Sequence, residues 1–280
     1  MKPIVPILTL LALVALFQGC SSLELNEAQE SLREGKYYIA VEHYMSFAKN
    51  HPKHRRAPEA LLEVGNIQHS VLGEPDKAIL TYEKLVSSYP VNTYTLSAQR
   101  KIAEIHKNHF SNYHEAIIEY EKFLHAAPDH EETPAIIMEL AHCYTLIHDF
   151  KQAEIEYDRL IRDYPKFNRL AEVYFQKGNN DFISGRYEKS IKNYQNVVEH
   201  FKDSDLRPQA IFGMANAYEE MDDFKKAKEF YHKILNTYPS PNVVKIRLKG
   251  VEDRERRKNS GAALKPWSEE SKAARDLWRG

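Results

Sequence analysis

Between Phe224 and Pro239 the chain reads FKKAKEFYHKILNTYP. Phe224, Ala227, Tyr231 and Ile234 recur there at steps of three or four residues, which is the spacing of one buried helical face. Proline stops such a helix because it lacks the backbone N–H that the next turn needs. The stretch therefore predicts an amphipathic helix that ends in a tyrosine-proline turn.

The tyrosine of this helix has counterparts along the whole chain, at intervals of 38, 38, 37, 37 and 37 residues. The six are Tyr44, Tyr82, Tyr120, Tyr157, Tyr194 and Tyr231. A small residue lies four positions before each: Ala40, Ala78, Ala116, Ala153, Ser190 and Ala227. Eight positions after each comes proline, except that Lys202 stands in the fifth copy. This period predicts six copies of one structural unit.

Each copy has the pattern of two amphipathic helices that form a hairpin. The small residue allows two helix backbones to approach closely, and the tyrosine fills the space toward the next hairpin. One hairpin has too little core to be stable alone, so neighbours must stack. We therefore predict an all-α, right-handed solenoid of about six helical hairpins over residues 20–242.

The sixth copy, Gly213-Met214-Ala215-Asn216-Ala217-Tyr218 followed by Phe224, Ala227, Tyr231 and Pro239, resembles the tetratricopeptide repeat family. Two departures are the missing first-helix tryptophan and a period longer than the family's usual 34 residues. The resemblance implies that the first helices of successive repeats line a concave groove for partners. The matching positions are Glu172, Phe175, Asn179, Phe212, Asn216 and Glu219.

The family's carboxylate clamp pairs an asparagine with a lysine, and this chain has Phe175 and Phe212 where the lysine would be. A clamp for a C-terminal carboxylate is therefore not expected. Aromatic and amide groups suit an extended or helical peptide segment, which would use stacking for affinity and amides for hydrogen bonds. The alternative is that the two phenylalanines belong to the core.

The composition argues against several functional classes. The 280 residues include only ten glycines and two cysteines, which disfavours phosphate-binding loops, a disulfide framework and a cysteine-based zinc site. A formal net charge of -1 gives no global field for nucleic acid. We expect no metal, no cofactor, no small-molecule substrate and no nucleic-acid partner.

Isolated catalytic motifs are weak. His106, His109 and His114 would form at most an incomplete metal site, and they are better explained as surface residues. Ser46-Phe47-Ala48-Lys49 spells S-x-x-K but lies inside a second helix, without the K-T-G partner of that enzyme class. Cys143 is expected to be a buried thiol. We therefore predict that the protein is not an enzyme; a periplasmic hydrolase with an unrecognised site is the alternative.

The N-terminus has the pattern of an export signal. Lys2 precedes an uncharged apolar stretch from Ile4 to Phe17, which is too short for a membrane-spanning helix. The following segment, Leu16-Phe17-Gln18-Gly19-Cys20, resembles a lipoprotein lipobox, with phenylalanine in place of the usual leucine. The resemblance implies that residues 1–19 are removed and that Cys20 is acylated. Ser21 after the cysteine implies the outer membrane by the enterobacterial sorting rule.

The C-terminus is basic, with eleven Lys and Arg against six Asp and Glu from Val243 onward. Residues 243–258 are predicted to form a helix that caps the last hairpin through Val244, Leu248 and Val251. Residues 259–280 are predicted to be a flexible tail. It holds both tryptophans, Trp267 and Trp278, which serve as docking anchors or have no role.

Together, the long-period repeats, the tyrosine-proline turns, the export signal and the cysteine resemble the BamD/ComL group of outer-membrane assembly lipoproteins. Periplasmic cell-division coordinators of the CpoB kind share similar repeats. The resemblance implies a non-catalytic scaffold on the periplasmic face of the outer membrane, lipid-anchored at Cys20, which binds envelope proteins during assembly of β-barrel proteins. The alternatives are a scaffold for cell division and peptidoglycan synthesis, or one for a pilus or secretion pore.

Overall fold

The computed structural model describes residues 23–260, which form thirteen helices joined by turns and contain no strand. In chain order the helices are α1 (23–33), α2 (Tyr37–Asn50), α3 (Ala57–Ser70), α4 (Pro75–Ser88), α5 (Thr93–Asn108), α6 (Tyr113–Ala126), α7 (Thr133–Leu146), α8 (Phe150–Asp163), α9 (Leu170–Ile183), α10 (Tyr187–His200), α11 (Arg207–Glu220), α12 (Phe224–Ile234) and α13 (Pro241–Ser260). Within this range no helix combines the length and apolarity needed to cross a bilayer.

The helices pair into six consecutive hairpins, from α1/α2 to α11/α12, and each repeating tyrosine lies on a second helix. The chain divides into two compact units, one up to Ile136 and one from Ile137 onward. Inside each unit a second helix packs on the first helix of its own hairpin and on the first helix of the next, as α4 does on α3 and α5, and α10 on α9 and α11. The predicted all-α fold of stacked repeat hairpins is confirmed.

The two residue types that mark the period both lie in the core. All six small residues have no exposed surface, and the six tyrosine side chains are at most 4% exposed. A buried tyrosine brings a large apolar ring but also a hydroxyl that needs a partner. The residues that recur with the period of the sequence are therefore the ones that pack between helices in the core.

Every hairpin turn reverses through one residue in the left-handed region, nine positions before the repeating tyrosine. Glycine occupies this position in three turns, where its missing side chain makes the conformation inexpensive. The other three turns use Ser111, His148 and Asp222, with φ of 53°, 63° and 58°. The six turns therefore share one backbone geometry although their residues differ.

The predicted C-terminal capping helix is present as α13, which extends beyond both ends of the expected 243–258. Val244, Leu248 and Val251 are buried on one side of it, and α13 packs on α12. The proposed signal segment 1–19 and the tail from residue 261, with Trp267 and Trp278, lie outside the described residues, as does Cys20. The processing, acylation and docking predictions at those positions stay predictions.

Glycines on first helices make room for the tyrosine rings. A Cβ atom built on Gly65 would lie 2.2 Å from Tyr82 Cε1, and one built on Gly178 would lie 2.6 Å from Tyr194 Cε1. Gly213 of the next hairpin approaches the other side of the Tyr194 ring, at 2.6 Å from Cε2. The Tyr194 ring thus lies between two glycine surfaces, one from its own hairpin and one from the next.

Replacing Gly65 or Gly178 with alanine tests this packing. We expect Gly65→Ala and Gly178→Ala each to lower the free energy of unfolding by about 1–3 kcal/mol, because the new methyl group overlaps a buried ring. Gly250→Ala is the matched control: this helical glycine has open space around it, so alanine should stabilise α13 by up to about 1 kcal/mol. Urea unfolding followed by circular dichroism measures all three. Equal effects at the three positions would contradict the packing.

Burial of these tyrosines also makes the stability of the fold depend on pH in the alkaline range. It raises the pKa of the Tyr82, Tyr157, Tyr194 and Tyr231 phenols well above their ordinary value of 10.0, because the charged phenolate loses its hydration. Below that value both the folded and the unfolded chain keep these protons, so the tyrosines do not make the free energy of unfolding depend on pH. Above it the unfolded chain loses protons that the folded core retains, and the free energy of unfolding falls.

An alkaline titration checks this consequence. Phenolate absorbance and circular dichroism, recorded together as the pH rises above about 10, should show the core tyrosines ionising only in the step in which the helices melt. Smooth ionisation of all 17 tyrosines with the helices intact would argue against the buried register.

Candidate functional site

The fifth hairpin presents three of the predicted groove residues on one side of α9. Glu172, Phe175 and Asn179 are each half-buried and lie three and four residues apart. Arg169 Nε and Nη2 donate to the two carboxylate oxygens of Glu172, each at 2.8 Å. The Phe175 ring lies 5.7 Å from the ring of Tyr194. Phe175 thus touches the core while part of its surface stays accessible.

Asn179 connects this surface to the core tyrosine. Its Oδ1 accepts a hydrogen bond from the Tyr194 hydroxyl at 2.7 Å, and its Nδ2 donates to Gln176 Oε1 at 3.1 Å. The amide therefore satisfies the one polar group of a fully buried ring. Its remaining hydrogen-bonding capacity faces the half-buried surface that also carries Glu172 and Gln176.

The second hairpin repeats this arrangement at the same spacing on α3. Arg56 Nε and Nη2 donate to Glu59 at 2.8 and 3.0 Å. Asn66 Oδ1 accepts from the Tyr82 hydroxyl at 3.0 Å, and Asn66 Nδ2 lies 3.5 Å from Glu63 Oε1. We call Arg56, Glu59, Glu63 and Asn66 the α3 face. We call Arg169, Glu172, Gln176 and Asn179 the α9 face.

The two faces differ in charge at one position, where the α3 face has Glu63 and the α9 face has Gln176. In both, the arginine and glutamate form a two-bonded pair at the start of the helix. Hydrogen bonding to Arg56 holds the pKa of Glu59 below its usual range, and the same contact raises the pKa of Arg56. The pKa of Arg169 is raised by its bonds to Glu172. The Arg56–Glu59 pair therefore stays charged throughout the neutral pH range.

The remaining predicted groove residues are closed off in the sixth hairpin. Phe212, Asn216 and Glu219 are 2%, 4% and 1% exposed. The Phe212 ring packs on Tyr231 and stacks on Tyr238, so this phenylalanine belongs to the core, as the alternative interpretation had it. Asn216 and Glu219 contact Tyr231 and two arginines of α13. The expectation of an open groove does not fit these three residues, because Phe212 packs in the core and arginines of α13 contact Asn216 and Glu219.

The residues considered for catalysis remain dispersed. His106 and His109 contact the ring of Phe110 at the end of α5, and His114 is exposed on α6. Cys143 is fully buried in α7. Among residues 23–260 no three histidine, cysteine, aspartate or glutamate side chains are grouped closely enough to hold a metal ion.

Sequence reasoning missed the α3 face. The available signal was a shared spacing: arginine, glutamate three positions later, glutamate or glutamine at seven and asparagine at ten, from Arg56 and again from Arg169. The predicted groove residues come from the sixth copy, which carries the family resemblance, and from the adjacent fifth copy, so the second copy was left out. The α3 face is as accessible as the α9 face, whereas the sixth copy is covered.

Two of these hairpins, the second and the sixth, match a known protein family. Residues 59–90 and 209–241 match the family model described as Tetratricopeptide repeat. These two segments therefore have the sequence pattern of tetratricopeptide repeats. One curated relative, the uncharacterized protein ycf37 of Pyropia yezoensis, is 32% identical over 69 residues, which is 25% of this chain and 33% of that protein. The match thus spans a third of the relative's length.

Solved structures of tetratricopeptide repeat proteins share the fold along much of the chain. A tetratricopeptide repeat protein from Parabacteroides merdae has a TM-score of 0.60 at 15% identity, over 92% of this chain and 97% of that one. The C-terminal part of a repeat-containing protein from Cytophaga hutchinsonii has 0.56 at 17%, over 75% and 78%. PilW, described as a widely conserved type IV pilus biogenesis factor, has 0.53 at 16%, over 79% and 94%. At these identities the likeness concerns the fold.

Proposed function

We propose that this chain is a non-catalytic scaffold that binds other proteins through the first helices of its repeats. The observation that carries this proposal is the recurrence of one polar arrangement, the α3 face and the α9 face, on two hairpins. Each face combines a fixed arginine-glutamate pair with an amide held by a core tyrosine. Such preorganised groups bind a peptide segment with little loss of side-chain freedom.

We further propose that the scaffold is held on the periplasmic face of the outer membrane by acylated Cys20. The support is the sequence before the first helix: a short apolar stretch, the lipobox resemblance and Ser21 after the cysteine. Several acyl chains hold a protein stably on a bilayer, whereas one chain binds reversibly. A tethered scaffold raises the local concentration of its partners, so that weak contacts become effective.

Within the envelope, the process we propose is the assembly of outer-membrane β-barrel proteins. Its support is the resemblance to the BamD/ComL group in the repeat period, the tyrosine-proline turns and the lipobox. Partners would be envelope proteins, or peptide segments of them, that bind the α3 face or the α9 face.

The likeness to PilW favours a second candidate, a scaffold for pilus biogenesis. That protein is described as a pilus biogenesis factor, and its fold matches 79% of this chain. Barrel assembly and pilus biogenesis predict different losses when the protein is removed, so one depletion experiment separates them.

Depletion in the native host tests the process and the anchor together. Barrel assembly predicts fewer folded outer-membrane barrels, scored by heat-modifiable gel mobility, with pili intact. Wild-type protein should restore the barrels, and a Cys20→Ala variant, which lacks the proposed acylation site, should restore them poorly. Loss of pili with normal barrels would assign the protein to the second candidate function. Full rescue by the Cys20→Ala variant would reject the proposed lipid anchor.

The faces are tested by paired charge substitutions in the same depletion strain. Glu59→Ala with Glu63→Ala should lower cross-linking to its envelope partners about tenfold, the effect of removing roughly 1.4 kcal/mol of contact. The matched control, Glu42→Ala with Glu83→Ala, removes the same charge from exposed positions of α2 and α4. Equal cross-linking by the two variants, with equal melting temperatures, would reject the α3 face as a binding surface.

A further inference from the structure

α13 occupies the position that the first helix of a seventh hairpin would take. Its buried residues Val244, Leu248 and Val251 join the apolar side of the sixth hairpin. The contributing residues of that side include Phe212, Phe224, Tyr231 and Ile234. We call this side, together with Asn216, Glu219 and Asp222, the terminal face.

One residue sets the contact of α13 apart from the other contacts between consecutive hairpins. Sixteen positions after each repeating tyrosine of the first five hairpins, the next helix carries a buried small or apolar residue. These residues are Ala60, Ala98, Ile136, Val173 and Ala210. At the corresponding position α13 has Arg247.

Arg247 enters a buried polar network on the terminal face. Its Nη2 lies 2.8 Å from Glu219 Oε2, and its Nε donates to the Tyr231 hydroxyl oxygen at 3.3 Å. The same guanidinium lies 3.4 Å from Asn216 Oδ1. Arg247 therefore reaches the asparagine at the position equivalent to Asn66 and Asn179 of the two open faces.

A second arginine, two helical turns further along α13, completes the contact. Arg254 Nη1 lies 3.1 Å from Glu219 Oε1 and its Nη2 lies 3.0 Å from Asp222 Oδ1. Lys258 pairs with Asp222 at 2.9 Å, and both cations lie over the Phe224 ring at 5.5 Å. Two arginines and a lysine thus bind two carboxylates on the terminal face.

The energetics of such a network favour recognition over simple capping. A polar-backed helix with apolar contacts is sufficient to close a solenoid, and buried ion pairs are often no more stabilising than apolar replacements. What buried charge pairs provide is discrimination, because a helix without the arginines leaves Glu219 buried and unpaired. The terminal face therefore selects for helices that carry two arginines at this spacing.

We propose that the terminal face is a binding site for an amphipathic helix of another protein, and that α13 is its resident internal occupant. The fitting helix carries aliphatic residues at its first, fifth and eighth positions and arginines at its fourth and eleventh, as Val244, Leu248, Val251, Arg247 and Arg254 do. A second copy of this chain is not the proposed occupant, since exchanging two identical helices creates no new contact. The site is separate from the α3 and α9 faces and does not depend on the cellular process.

In the intact chain α13 has the advantage of its covalent link, which corresponds to an effective concentration in the millimolar range for short linkers. A partner helix can therefore displace α13 only when the link between α12 and α13 is cut or when the partner makes additional contacts outside the terminal face. Cutting the link removes this advantage but leaves the contacts of Arg247 and Arg254 with the terminal face in place. Ser240 and Pro241, both exposed, mark the place for a protease site.

The experiment uses the full chain with a protease recognition sequence inserted between Ser240 and Pro241. The probe is a fluorescent synthetic peptide of residues 241–260, and binding is followed by anisotropy before and after cleavage. After cleavage the peptide should exchange with the released segment, at least about tenfold more readily than before cleavage. A peptide with Arg247→Ala and Arg254→Ala should bind the cut chain at least about tenfold more weakly.

A receptor variant links the binding to the proposed contacts. Glu219→Gln should weaken the wild-type peptide while leaving the double-alanine peptide nearly unchanged, because that peptide has no arginine for Glu219. Three results would overturn the proposal: a cut segment that leaves only when the hairpins unfold, loss of the helical signal on cleavage, or equal binding of the two peptides. A dimer of the uncut chain that exchanges α13 between copies would assign the face to self-association instead.

Discussion

The packing of one tyrosine ring between small residues of neighbouring helices sets the spacing of the repeats. Tyr194 shows the constraint most clearly, because Gly178 of its own hairpin and Gly213 of the next approach the ring from two sides. Its hydroxyl donates a hydrogen bond to the half-buried Asn179. The same residue that joins two hairpins therefore also positions a polar group at the surface, so that the stacking of the fold and the α9 face share one side chain.

The hairpins and their register were predictable from sequence because a large and a small residue must alternate at every contact between helices, and that alternation survives in all six copies. The turns were less visible: Ser111, His148 and Asp222 adopt the left-handed conformation without being glycine, so composition alone does not mark them. Likewise, the apolar side of α13 was readable from its spacing. The targets of its arginines were not, since Glu219 and Asp222 belong to another helix and become partners only after packing.

Three of the six predicted groove residues are accessible and three are buried, because only some hairpins are covered by a later helix. Glu172, Phe175 and Asn179 lie at repeat positions that stay half-buried, whereas Phe212, Asn216 and Glu219 occupy the equivalent region of a hairpin that another helix covers. The sequence period predicts the same accessibility for equivalent residues in every copy. It does not show which copy a helix of the same chain will cover. The proposed scaffold thus presents two open polar faces and a third, closed one whose occupant is part of the same chain. A repeat surface is therefore open to other proteins only where no later helix of its own chain packs over it.

The most direct measurement of the central claim is hydrogen exchange by mass spectrometry on a Tyr194→Ala variant. Removing a ring that joins two hairpins should cost about 3–5 kcal/mol and should reduce protection in α9, α10 and α11 together, while the helices of the first unit keep theirs. Loss of protection confined to α10 would show that the ring stabilises only its own helix, and the account of a stack held by shared tyrosines would then be wrong.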